Sequence, residues 1–194
     1  MNPGTTFIAA ASVLCAGAAG ADDVLPRAHV AAVTGTFRSA SPEPWYGGFG
    51  MREFTFSDGR LQLIFTHALD PAMTLRTFQF RAGGPFEIGA ASEAVDGAFD
   101  GVFHEDWKHV TLLTDDPDIP AGMGMADCDL IPNLEVDISD TGCAAWRPVE
   151  VCGQDHDLFA MDATGVYFGV RPDDNDMCSP DRRPTALLPV VARD

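Results

Sequence analysis

The sequence predicts an all-β fold in which an antiparallel meander closes into a barrel or a strongly curved sheet. Short runs alternate between polar and apolar residues, as strands do when one face is buried, and tight-turn residues separate these runs. No stretch between the runs shows the 3.6-residue period of an amphipathic helix. A series of strands with short connections is typical of a β-barrel.

The first hairpin is the clearest local feature. Residues 52–56 and 60–66 both alternate, and Asp58-Gly59 lies between them. An Asp-Gly pair suits a type I′ turn, because both central residues of that turn have positive φ. We therefore predict two strands joined by a two-residue turn.

Alternation and turn residues also predict the remaining strands. The polar residues 104–106 are interpreted as a turn, and the acidic, Pro- and Gly-rich residues of about 114–129 as a crossover loop within one domain. A second hairpin joins residues 157–161 to residues 166–170. The other predicted strands cover residues 74–81, 85–89, 97–103, 107–113, 134–138, 148–152 and 185–191.

The N-terminal sequence is typical of a secretory signal peptide. Residues 7–19 form an uncharged apolar run that is too short to span a bilayer as a helix. Ala19-Gly20-Ala21 follows it and resembles a cleavage site. We interpret residues 1–21 as a signal peptide and residues 22–194 as one mature domain, exported to the periplasm or the extracellular space. The alternative is a buried N-terminal helix. No later stretch is apolar enough to predict a transmembrane segment.

The charge balance excludes some classes of partner. The chain has 12 Lys and Arg against 29 Asp and Glu, which makes the formal net charge −17. Nucleic acids and anionic membrane surfaces would repel such a protein. The favoured interpretation is that this charge keeps an exported protein in solution, and it identifies no partner by itself.

The cysteines predict two disulfides. Five are present, and removal of the signal peptide takes away Cys15 and leaves an even number. In an oxidising compartment, four cysteines indicate two bonds, for which three connectivities exist. Cys152 and Cys178 flank the second hairpin, which favours a bond between them. Cys128 and Cys143 then pair across a short loop, while the other two connectivities stay open.

No motif of catalysis or cofactor binding stands out. The sequence has no G-x-S-x-G, no H-E-x-x-H and no glycine-rich phosphate loop. His104 and His109 flank a predicted turn and could face each other as a zinc or copper site, but two surface histidines are the favoured interpretation. We therefore predict a protein that is not an enzyme, with no catalytic residue, no metal and no cofactor.

Several short stretches together resemble a known domain family, namely residues 35–39, 52–59, 78–80 with 84–86, 166–169, and 183–187 with 189–191. The chain is similar to the adenomatosis-polyposis-coli-down-regulated family, whose animal members are extracellular Wnt antagonists and which has single-domain bacterial relatives. The resemblance covers essentially the whole mature chain and implies a lipocalin-like barrel or half-barrel with an apolar interior that takes a lipid tail.

Alternation decides which side chains face the barrel interior, since neighbouring residues of a strand point to opposite faces. With the resemblance, the inward set becomes a predicted binding site for a hydrophobic small molecule or an acyl chain. The alternative is that these residues fill an ordinary core. The predicted set is Phe54, Phe56, Leu61, Leu63, Phe65, Phe78, Phe80, Phe86 and Ile88.

Two other function classes remain open. One is an interaction protein without a cavity, which uses its acidic surface to bind a basic partner. The other is a hydrolase that acts on lipids, and the missing nucleophile motif places it last. The salt dependence of binding distinguishes the acidic interaction protein from a lipid carrier. Exposed charge contacts weaken at high ionic strength, whereas burial of an acyl chain does not.

Overall fold

A computed structural model of the protein describes residues 25–194, so the predicted signal peptide lies outside the described residues. Strands dominate this part of the chain, as predicted. They are β1 Gly35–Ser39, β2 Glu43–Trp45, β3 Gly48–Ser57, β4 Arg60–Ala68, β5 Arg76–Ala91, β6 Phe99–His104, β7 Trp107–Leu112, β8 Glu135–Asp137, β9 Gln154–Met161, β10 Gly165–Phe168 and β11 Val191–Arg193. The helices are α1 Arg27–Ala31, α2 Asp118–Gly122 and a 3-10 helix at Pro180–Arg182.

Eight of the strands form a closed antiparallel barrel, which confirms the predicted lipocalin-like fold class. In order around the barrel they are β1, β3, β4, β5, β6, β9, β10 and β11. The ring closes where the first strand pairs with the last, with Phe37 opposite Arg193. The other three strands extend the sheet: β2 pairs with β3, β7 with β5, and β8 with β7.

The first hairpin has the predicted geometry. Strands β3 and β4 pair along their whole length, with Phe54 opposite Leu63. At the turn, φ is 50° for Asp58 and 72° for Gly59, as a type I′ turn requires. Along β3, buried residues alternate with half-buried ones, so one face of the hairpin packs into the interior.

Strand β5 corrects one prediction. Residues 74–81 and 85–89 belong to a single 16-residue strand that continues through Gly83, Gly84 and Pro85. The glycines permit close contact between strands here, because a Cβ on Gly84 would collide with the carbonyl oxygen of His104. The Gly-Gly-Pro sequence therefore lies where two chain segments approach closely, and not in a turn.

Strands β6 and β7 correct a second prediction. They do not form a hairpin around residues 104–106, because both pair with the same edge of β5, one after the other. Phe103 lies opposite Phe86 and Trp107 lies opposite Gly83, so the three polar residues between the strands face only two on β5. The predicted turn is therefore a bulge in an almost continuous strand. The long β5 makes this arrangement possible, since it offers partners to both runs.

The C-terminal half follows the predictions in part. The β9–β10 hairpin and β8 lie where they are predicted, and the predicted crossover segment contains α2 and leads to β8. Residues 148–152 form a turn and not a strand, in which Cys152 N donates to Pro148 O at 2.8 Å. In the predicted strand at 185–191, only Val191 belongs to a strand. Pro189 has no N–H group to donate to a ladder, which explains why regular pairing begins after it.

The inner face of the sheet carries two apolar clusters. The barrel cluster contains Phe37, Phe54, Phe56, Phe159 and Phe168, and Val30 of α1 joins it. The second cluster, which we call the wing cluster, lies on the same face of β4 and β5 and continues onto β7. Leu63 packs against both clusters. The wing cluster contains Phe65, Phe78, Phe80, Ala82, Val110, Leu112, Met125, Ile138 and Cys143.

Candidate functional site

A cavity of about 100 Å³ lies between the barrel cluster and the wing cluster. Phe54, Phe103 and Phe168 line it from the barrel side, and Phe80 and Trp146 line it from the wing side. The ring of Trp146 stacks on Phe80 with centroids 4.7 Å apart, while Phe54 stacks on Phe168 at 4.0 Å. Aromatic faces therefore form opposite walls of an apolar space.

The structure divides the predicted binding residues into two groups. Five of the nine line the cavity. Phe56 and Phe78 pack into filled parts of the clusters, while Phe86 and Ile88 line a second cavity beside Arg27 and Ala31 of α1. Phe78, for example, stacks on the buried ring of His67 at a centroid distance of 5.2 Å. The lining residues are Phe54, Leu61, Leu63, Phe65 and Phe80, and the other four are Phe56, Phe78, Phe86 and Ile88.

A charged wall completes the cavity, and sequence reasoning missed it. Its main members are Arg52, Glu105, Lys108, Asp155, Asp157 and Arg171. The alternation of side chains along each strand could have identified these residues, because residues two positions apart face the same side. Arg52 lies two residues before the inward Phe54 and therefore faces the same side. The same holds for Lys108 before Val110 and for Asp157 before Phe159.

Arg52 is buried in this wall, with only 4% of its surface exposed. Its Nη2 donates to Glu43 Oε1 at 2.9 Å and to the Pro189 carbonyl at 3.0 Å. Its Nε and Nη1 are buried and have no hydrogen-bond partner among residues 25–194. Since a guanidinium has five N–H groups, the three on Nε and Nη1 are left without an acceptor.

Lys108 and Glu105 form a buried ion pair at the bulge between β6 and β7. Lys108 Nζ lies 2.8 Å from Glu105 Oε2 and donates to the carbonyls of Cys152 at 2.6 Å and Arg147 at 3.0 Å. Burial raises the pKa of Glu105 to about 7, and the charge of Asp155 adds to this effect, while Lys108 opposes it. The three N–H groups of Lys108 thus all have acceptors.

Asp157 is a second buried carboxyl. Its Oδ1 accepts from the backbone N–H groups of Leu158 at 2.7 Å and Gly169 at 2.8 Å. Burial raises the pKa of Asp157 to about 7, although the positive charge of Arg171 works against that shift. Arg171 itself is paired, since its Nη1 lies 2.8 Å from Asp155 Oδ2.

Both favoured disulfides are present. Cys128 bonds to Cys143 beside the wing cluster, and Cys152 bonds to Cys178 at the cavity wall. The second bond ties the start of β9 to the segment that follows Arg171. Part of the cavity is therefore held by a covalent link.

His104 and His109 do not form the facing pair that a zinc or copper site would need. Because β6 and β7 lie end to end, His104 and His109 do not face each other across a turn. His104 Nε2 lies 3.5 Å from Glu87 Oε1, while His109 Nδ1 lies 3.3 Å from Glu135 Oε2. Within residues 25–194, no group of three or more His, Cys, Asp or Glu side chains is placed to hold a metal ion.

The arrangement is suited to binding an amphiphile, because apolar walls adjoin buried hydrogen-bond donors. Over the described range, no helix is long and apolar enough to cross a membrane. Comparison of the chain with protein-family models and with curated protein sequences gives no match.

Proposed function

We propose that this chain is an exported, non-catalytic binding protein that holds an apolar acyl-chain ligand in its barrel. The observation that carries the proposal is the cavity between the two clusters, with aromatic and aliphatic walls. Small-molecule sites are typically concave and mostly apolar, with a few polar groups that orient the ligand. This cavity has that composition, since Leu61, Leu63 and Phe80 line it together with the charged wall.

The size of the cavity sets the binding mode. Its volume of about 100 Å³ is well below the roughly 300–1,000 Å³ of typical ligand sites. The ligand therefore inserts one end of its chain between the clusters and leaves the rest near the half-exposed Tyr46, which also lines the cavity. A slender chain fits such a space better than a fused ring system.

Two features support export. Disulfides persist in oxidising compartments such as the periplasm or the extracellular space, and the chain has two of them. The signal-peptide pattern at residues 1–21 also supports export.

The acyl chemistry of the ligand is supported by the apolar cavity and by the resemblance to a family that binds lipid or lipidated protein.

A non-catalytic role agrees with how the reactive groups are used. The four cysteines of the described range are all in disulfides. In the charged wall, Lys108 is paired with Glu105 and Arg171 with Asp155. These ion pairs shape the wall of the cavity.

Two measurements test the proposal. Native mass spectrometry of protein purified from the compartment to which it is exported should show a co-purified lipid, and a fluorescent dodecanoic-acid derivative should bind at micromolar concentration. Binding should change little between low and high salt, because burial of an acyl chain is not screened as exposed charge contacts are. Failure of a series of acyl probes of different length to bind would refute the proposal, whereas binding that collapses at high salt would favour the acidic interaction protein.

A further inference from the structure

We propose that the ligand ends in a carboxylate and that this group binds Arg52 inside the cavity. This inference rests on the proposed function, since it concerns the inserted end of the same chain. It goes further by naming the polar group that the ligand carries. It also gives the orientation, with the carboxylate at the buried wall and the hydrocarbon extending towards the mouth.

Unpaired donors at Arg52 carry the inference. Of the side chains that line the cavity, it is the one with buried polar atoms that lack a hydrogen-bond partner in residues 25–194. Lys108, also on this wall, has an acceptor for each of its N–H groups. Buried donors are rarely left unpaired in folded proteins, so an unpaired one calls for an explanation, such as a ligand that is not bound.

The position of Arg52 matches an amphiphile. It precedes the inward Phe54 on β3 by two residues and lies opposite Phe65 on β4. Both aromatic residues line the cavity. A carboxylate at the guanidinium would therefore leave its first methylene groups against aromatic walls, where burial is favourable.

The hydrogen-bonding capacity of Arg52 leaves room for one more acceptor. Glu105, Asp155 and Asp176 each have a basic partner within 2.9 Å. Glu43 occupies only Nη2 of Arg52, so Nε and both N–H groups of Nη1 remain for a second acceptor. Hydrogen bonds between arginine and a carboxylate are charge-assisted and stronger than bonds to a neutral oxygen, which favours an acid over an ester or an alcohol.

Three proteins and two ligands test this inference. Dodecanoic acid and dodecanol are titrated into the wild type, into Arg52→Met, and into the control Arg38→Met. Arg38 is an exposed β1 residue paired with Glu53, so its replacement removes the same charge from outside the barrel. We expect the wild type and Arg38→Met to bind the acid about ten-fold more tightly than the alcohol, and Arg52→Met to bind both about equally.

The outcomes separate the two proposals. Equal binding of acid and alcohol by the wild type would overturn the role of Arg52 and leave the proposed function intact, while binding of neither would overturn both. A preference for the acid that persists in Arg52→Met would also overturn this inference. If Arg52→Met does not fold, dodecanoic acid labelled with ¹³C at the carboxyl is followed by NMR in the wild type. A bound carboxyl with a pKa below that of the free acid supports the contact, and a pKa that is not lowered contradicts it.

Discussion

Arg52 and Phe54 project from the same face of β3 into one cavity, so a guanidinium with unpaired N–H groups adjoins a ring that stacks on Phe168. The barrel thus combines a filled cluster and a polar-walled cavity on one inner face. Phe56, two residues further along β3, is fully packed in the barrel cluster. The boundary between packed core and cavity therefore falls within a single strand.

Enlargement of a side chain should reduce ligand binding at the cavity but reduce stability in the packed core. We expect Leu63→Trp to fill the cavity and weaken the binding of a fluorescent acyl probe by more than about ten-fold, with little change in Tm. Val166→Trp, in the filled part of the barrel cluster, should overpack and cost about 1–3 kcal/mol of stability. Probe titration and thermal unfolding of both variants check this. A large loss of stability in Leu63→Trp would mean that the space beside it is not open.

Asp157 should make stability depend on pH. Its pKa is raised to about 7 by burial, above the roughly 3.9 of an unfolded chain. The folded state therefore binds the proton more tightly, and the stabilisation present at low pH is lost as the pH rises through about 7. We expect the free energy of unfolding to fall by roughly 1 kcal/mol between about pH 6 and pH 8. Glu105, with its pKa also raised to about 7, should act in the same direction.

Asp157→Asn should remove much of that fall, because the amide oxygen can still accept from Leu158 and Gly169. Urea unfolding at several pH values measures it. Asp58→Asn is the matched control, since it makes the same change at the exposed turn of the first hairpin, where Asn-Gly is equally suitable. An unchanged pH profile in Asp157→Asn would show that this carboxyl is ionised throughout the range.

The ion pair at the β6–β7 bulge should be costly to break from one side. Lys108→Met leaves Glu105 buried without its cation, so we expect a loss of about 3–5 kcal/mol. The double variant Lys108→Met/Glu105→Leu should recover most of that loss, because it removes the isolated charge. Arg60→Met, which breaks a pair with the half-exposed Asp106, should cost less than about 1 kcal/mol. Denaturant unfolding compares the three, and equal losses would contradict the buried pair.

The two disulfides should differ in what they affect. Replacement of either pair by alanine should cost about 2–4 kcal/mol, mainly because the unfolded chain becomes less restricted. Only the Cys152–Cys178 pair lines the cavity, so its removal should also weaken binding of the acyl probe. Removal of Cys128–Cys143 should leave the affinity unchanged. Peptide mapping under non-reducing conditions verifies the pairing, and a Cys143–Cys152 bond would contradict both the structure and the argument from the hairpin.

Local pattern was sufficient for the parts of the fold in which neighbours in sequence pair with each other. The β3–β4 and β9–β10 hairpins follow from alternation and from turn residues such as Asp58-Gly59, because turn geometry sets the register of the flanking strands. The disulfide pairing followed from the same local reasoning, since a hairpin brings together the residues that flank it.

Alternation and turn residues were enough to predict the all-β class, the two hairpins and the face of the strand on which each apolar residue lies. The pairing of β7 and then β6 along one edge of β5 is visible only in the folded structure, because it depends on distant chain segments and not on local turn residues. The folded structure also decides which inward residues are packed and which border a cavity. Alternation assigns a face to each residue, but whether Phe56 or Phe54 adjoins empty space depends on how distant segments meet across the barrel. Alternation along β3 is therefore enough to place Arg52 on the inner face. Its unpaired donors depend on the folded structure, in which Glu43 and Pro189 both bind Nη2 and leave Nε and Nη1 without a partner.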